Sequence, residues 1–157
     1  MPGVLVVCVG NDLVADDGVG PAVYEHLRRR PQQDGVRLSL LGVGGLELLD
    51  ELEGDALLIV VDAVLGGARP GTISVRRVQD DDLCRPPPTD AHAIGVLEAL
   101  AVGRALFPGV MPREIVLVGV EGQRFGEVGP MTGAVAAAAE RAAGVVADLC
   151  AEVRGRR

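Results

Sequence analysis

The chain has 157 residues, of which 48% are hydrophobic, and it carries one Tyr, two Phe, no Trp and a formal net charge of −7. That length fits one domain with its own core, and the aliphatic composition suits strands and helices built on Val, Leu and Ala. The acidic balance and the scarcity of aromatic rings exclude the ordinary nucleic-acid binder, which needs a basic surface and stacking platforms.

Three cysteines, Cys8, Cys84 and Cys150, stand far apart with no C-x-x-C pairing, so neither a disulfide framework nor a thiolate zinc knuckle is indicated. Cys8 and Cys150 lie in apolar segments and read as inert core thiols, whereas Cys84 opens a polar stretch before Pro86-Pro87-Pro88. A reducing, cytoplasmic setting follows. The N-terminus shows no basic leader, and no apolar run reaches the roughly 18 residues of a membrane span. No membrane partner is expected.

In chain order, Val4–Val9 reads as a buried strand that stops at Gly10-Asn11, a turn pair. An acidic loop follows, and Val19, Val23 and Leu27 then repeat at the spacing of an amphipathic helix that ends in Arg28-Arg29-Arg30-Pro31. Residues 36–41 predict a second strand, Gly42-Val43-Gly44-Gly45 a turning loop, and Leu46, Leu49 and Leu52 the apolar stripe of a short helix. Residues 56–61 form the most hydrophobic run and predict a central strand buried on both faces, ending at Asp62.

The connection over residues 66–71 is too short for a helical crossover. Residues 72–78 are therefore expected to run antiparallel to their predecessor or at a sheet edge, with Ile73 and Val75 on one face and Ser74 and Arg76 on the other. A proline-stiffened polar linker over 79–88 leads to a helix capped by Thr89 or Asp90, with Ile94, Leu97, Leu100 and Ala101 on its apolar side and His92 in its first turn. Residues 115–120 predict the last strand, and a final helix runs from about Thr132 to about Val153. The expected fold is α/β in three layers: a mostly parallel, twisted sheet of about five strands between helices, one edge strand antiparallel, with residues 1–157 as a single domain.

The acidic loop opens the question of function. Gly10, Gly18 and Gly20 do not have the G-x-G-x-x-G spacing of a dinucleotide site, and Asp16-Asp17 would repel a phosphate at the helix start. The loop suits a cation better. The plain alternative is that one aspartate caps the helix, a role worth about 1 kcal/mol. Ligands of such sheets bind beyond the carboxyl ends of the strands, where Asp17, Asp62 and His92 are expected to fall. Two carboxylates and an imidazole suit Ni²⁺, Zn²⁺, Co²⁺ or Mn²⁺. Each has a plain reading too: Asp62 bonding to the amides of the next turn, His92 as an exposed polar residue, and His26 as partly buried packing.

The order of motifs carries more than any single one. Gly10-Asn11-x-Leu13-x-x-Asp16-Asp17-Gly18-x-Gly20, Gly44-Gly45-Leu46-Glu47-Leu48-Leu49, Val61-Asp62-Ala63, Pro70-Gly71-Thr72, His92 and Leu117-Val118-Gly119-Val120-Glu121 together resemble the hydrogenase maturation proteases. These endopeptidases trim the C-terminus of the nickel-iron hydrogenase large subunit. The resemblance implies that Asp17, Asp62 and His92 contact the metal and carry catalysis, with Asp16 beside them. Asp17 stands where some relatives carry Glu, so its reach is shorter. The resemblance also implies that the metal is nickel supplied by the precursor, although other divalent ions fit the same donors.

No Ser-His-Asp set or H-E-x-x-H helix is apparent. The implied reaction is attack of water on the scissile amide with metal or carboxylate assistance. The implied partner is the large-subunit precursor, met by a monomer or weak homo-oligomer. The alternative is a non-enzymatic nickel-sensing chaperone of hydrogenase assembly. Residues 42–45 are expected to border the cleft, and Gly45→Val to lower cleavage while the fold persists.

Overall fold

The computed structural model describes residues 3–42, 45–84 and 91–156, without the side chains of Cys84 and residues 91–94. Five strands, β1 (Val4–Val9), β2 (Val36–Leu41), β3 (Leu57–Val64), β4 (Ile73–Arg77) and β5 (Glu114–Glu121), form one sheet in the order β2-β1-β3-β5-β4. All neighbours pair in parallel except β4 with β5. The helices are α1 (Val19–Arg28), α2 (Asp80–Cys84), α3 (Ala91–Leu106) and α4 (Gly133–Gly155), with short 3-10 turns at Ala15–Gly18, Leu46–Glu51 and Pro108–Val110.

Alternation along the strands divides the interior in two. Val4, Val6, Cys8, Ile59, Val61, Val116 and Val118 face α1 and α4, where they meet Val19, Val23, Val135, Ala139 and Val146. Leu5, Val7, Leu58, Val60, Ile115 and Leu117 face α3 and the Leu46–Glu51 turn, where they meet Leu48, Leu97 and Leu100. The sheet thus lies between helical layers, as the periodicities predict. β1 is buried throughout and β3 at all but its last residue, the mark of parallel strands covered on both sides.

The structure corrects one expectation and narrows others. β3 does not end before Asp62 but continues to Val64, so Asp62 is a buried strand residue. β4 is an antiparallel edge strand, but its partner is β5 rather than its predecessor β3. The reason lies in β5, buried at every residue after Glu114, which requires a neighbour on each side. Its terminal Glu121 is buried and accepts hydrogen bonds from the amides of Gly66 and Gly67, each at 2.8 Å, which carries the β3–β4 connection across the end of β5. On β4, Val75 is exposed rather than inward. The predicted linker over 79–88 begins as the short helix α2, while the proposed caps Thr89 and Asp90 lie outside the described residues.

Gly144 lies inside α4 with only ordinary space around it: an added Cβ would come no closer than 3.7 Å to the Arg30 guanidinium. Gly144→Ala is expected to stabilise the protein by about 1 kcal/mol through helix propensity. A thermal melt should rise by about 2–4 °C for a chain of this size.

Candidate active site

The site is built where β1 ends. Beyond Val9, Asn11 closes a local turn by accepting the Leu13 amide on its side-chain oxygen at 3.0 Å. The Ala15–Gly18 turn then packs against β3. Neither aspartate in it caps α1: the residue at the cap position is Gly18, and no side chain bonds there. The two carboxylates, adjacent in sequence, have different partners.

Asp16 is fully buried and bound from the far end of the chain. Its Oδ2 accepts the amides of Gln123 and Arg124, each at 2.7 Å, and its Oδ1 accepts the Thr132 amide at 2.8 Å. The Thr132 hydroxyl donates to the same carboxylate at 3.0 Å. Burial pushes the Asp16 pKa up, but the amides of Arg124, Gln123 and Thr132 outweigh it and hold the carboxyl below its ordinary value. Asp17, also buried, accepts the Asn11 amide on Oδ2 at 2.9 Å, and its backbone carbonyl lies against Gly10.

Asp62 stands one strand over. The parallel register pairs Cys8 with Val61, so Asp62 lies one step further along β3, beside the end of β1 and paired with Gly119 of β5. By alternation it shares the α3 side of the sheet with Leu58 and Val60. Its Oδ1 accepts the amide of Ala63 at 2.8 Å, a bond within the strand and not to a following turn. Behind it, on the opposite side of the sheet, burial drives the Cys8 thiol pKa far up and the Asp62 charge drives it further, so that this cysteine stays neutral. Burial likewise pushes Cys150 up to about 11. His26 is partly buried on α1.

α3 begins at Ala91 and packs on β3, which sets the backbone of His92 in the first turn of the helix that covers the Asp62 side of the sheet. The His92 side chain lies outside the described residues, as does that of Cys84. Among the described residues no group of three His, Cys, Asp or Glu side chains is gathered to hold an ion. Gly45, after the glycine-rich stretch, lies against α3, in a way the sequence does not reveal. A Cβ on Gly45 would stand 2.1 Å from the Gly95 carbonyl oxygen and 3.1 Å from the Ala99 Cβ. Gly45 is therefore a contact of the loop with α3, and Gly45→Val would push the helix away and disturb the fold itself.

The HycI model of the hydrogenase maturation protease family matches residues 21–149. The chain belongs to this family. The match includes Asp62 and His92 and begins after Asp17. The Azotobacter vinelandii hydrogenase expression/formation protein HoxM is 36% identical over 132 residues, covering 82% of this chain and 62% of that protein. The chain thus spans about three fifths of that relative's length. The hydrogenase 2 maturation protease of Escherichia coli K12 is 31% identical over 74% of this chain and 71% of its own. In structure, the hydrogenase maturating endopeptidase HybD of E. coli superposes with a TM-score of 0.84 at 29% identity, over 96% of this chain and 93% of that one. Hydrogenase maturation protease folds therefore share this five-stranded mixed sheet.

Two residues carry more of the site than their sequence positions announce. Thr132, at the cap position of α4, makes no side-chain cap bond there, because its hydroxyl is turned to Asp16. Glu121 fixes the connection that follows the strand bearing Asp62. A buried acid at a strand end, followed by glycines or a helix-start threonine, is the signal that could have found them.

Proposed function

We propose that this protein is the endopeptidase that removes the C-terminal extension of a nickel-iron hydrogenase large-subunit precursor once nickel has been inserted. The observation that carries this reading is the pair of buried carboxylates, Asp17 in the turn that follows β1 and Asp62 within the last part of neighbouring β3, in a member of this family. Asp17, Asp62 and His92 contact nickel still held by the precursor, so the ion arrives as part of the substrate. With carboxylate oxygens and an imidazole as donors and no thiolate, the protease alone holds the ion weakly. Asp17 and Asp62 then orient the water that attacks the scissile amide, whose carbonyl the metal polarises.

Exposed apolar residues support a protein substrate. Leu13, Leu40, Leu46, Leu65 and Val128 are all solvent-facing, and they belong to the segments around the carboxyl ends of β1, β2, β3 and β5. Apolar groups set around a site in this way favour a macromolecular partner. Among the described residues no helix is long and apolar enough to cross a membrane. The proposed setting is the cytoplasm, where the precursor is assembled, with the protease working as a monomer or weak homo-oligomer.

The test is a pair of incubations followed by mass measurement. Chelator-treated protease with nickel-loaded precursor should release the C-terminal peptide, and metal-loaded protease with apo precursor should release none. Cleavage of apo precursor by reloaded protease, with none by the stripped form, would overturn the nickel checkpoint. Binding of loaded precursor without any change in its mass would identify a chaperone instead.

A further inference from the structure

A buried carboxylate persists only where donors replace the water it has lost. Asp16 has such donors, and all of them come from one place: the connection between β5 and α4, more than a hundred residues further along the chain. The backbone joins the same two segments. The Ala15 amide bonds to the Gly129 carbonyl and the Asp16 amide to the Arg124 carbonyl, each at 3.0 Å, while the Gly129 amide bonds to the Leu13 carbonyl at 3.1 Å. Between these ties Ala15 holds φ +41°, the one positive φ outside glycine among the described residues. A strained residue persists where its surroundings over-determine it. The next residue after Asp16 is Asp17.

We propose that Asp16 is a positioning residue: by locking the Ala15–Gly18 turn onto the β5–α4 connection, it fixes the place from which the Asp17 carboxylate acts. This rests on the reading of Asp17 as a working carboxylate. Four donors aimed at one side chain hold the turn more tightly than helix capping would, and a carboxylate so engaged is a frame for its neighbour rather than a reactant. Asn in its place brings an NH₂ donor against amides that are themselves donors, so the turn must shift. Thr132→Val is the milder change, removing one donor and leaving the backbone amides in place.

The test compares Asp16→Asn, Thr132→Val, Asp17→Asn and Val146→Ala on nickel-loaded precursor, with melting curves for each. Val146 is buried in α4 against the far part of β1 and β2, so its truncation destabilises the protein without touching the site. Asp16→Asn should lower kcat by about ten- to a hundredfold with KM for the precursor unchanged, the signature of a displaced catalytic group. Thr132→Val should lower it less, and Val146→Ala should leave kcat intact despite a comparable fall in melting temperature. Should Asp16→Asn prove unfolded, Thr132→Val decides: a fall in kcat at constant KM supports the proposal, and an unchanged kcat overturns it. Wild-type kcat in folded Asp16→Asn, alongside an inactive Asp17→Asn, would overturn positioning alone. An active Asp17→Asn would remove the working carboxylate itself and the proposal with it.

Discussion

Asp62→Asn is expected to cut precursor cleavage by about a hundredfold or more while the fold persists. Asn has the shape of Asp and keeps an oxygen to accept the Ala63 amide, the bond that Asp62 makes within β3. Its strand neighbours Val61 and Ala63 face the opposite side, so their packing against the α1 and α4 layer is undisturbed. What is lost is negative charge at a buried point, which stability seldom requires, because taking a carboxylate out of water opposes folding. A metal-bound or water-orienting carboxylate does require it. The measurement is the rate at which loaded precursor loses its C-terminal peptide, paired with a melting curve. Full activity in a folded Asp62→Asn protein would take Asp62 out of the reaction while leaving family membership untouched.

The layers of the fold are legible in the sequence because each element repeats at its own period. Val19, Val23 and Leu27 mark the buried stripe of α1, and the continuous apolar run of β3 marks a strand covered on both faces. The order of the strands is not legible in that way. β5 lies between β3 and β4 through pairings of residues distant in sequence, and the turn-rich connection over 66–71 gives no hint that Glu121 will hold it. The site divides similarly. Asp17 can be placed beyond the end of β1 because parallel sheets deliver their loops to one edge, whereas the continuation of β3 through Asp62 to Val64 is not legible. That Asp16 and Asp17 have different partners cannot be read from two identical adjacent letters, since the donors that separate them come from Gln123, Arg124 and Thr132.

Gly10→Ala is expected to destabilise the protein by about 3 kcal/mol and to abolish cleavage, because one added methyl meets two obstacles at once. Gly10 holds φ +146°, a conformation that residues with a Cβ rarely adopt. The new Cβ would also stand 2.1 Å from the backbone carbonyl oxygen of Asp17 and 3.2 Å from Pro21 at the start of α1. A backbone carbonyl cannot rotate aside as the tip of a side chain can, so relief must come from moving the Ala15–Gly18 turn off the end of β1. Asp17 moves with it and gives up the Asn11 amide that its carboxylate accepts. Gly42 gives the stability comparison: its carbonyl accepts the Gly10 amide at 3.2 Å, yet a Cβ there meets nothing within 4 Å. Gly42→Ala should therefore melt within about 1 °C of the parent, whereas Gly10→Ala should melt roughly 10 °C lower. If Gly10→Ala melted with the parent and cleaved loaded precursor at the parent rate, the close approach of Gly10 to Asp17 would have no part in holding the site.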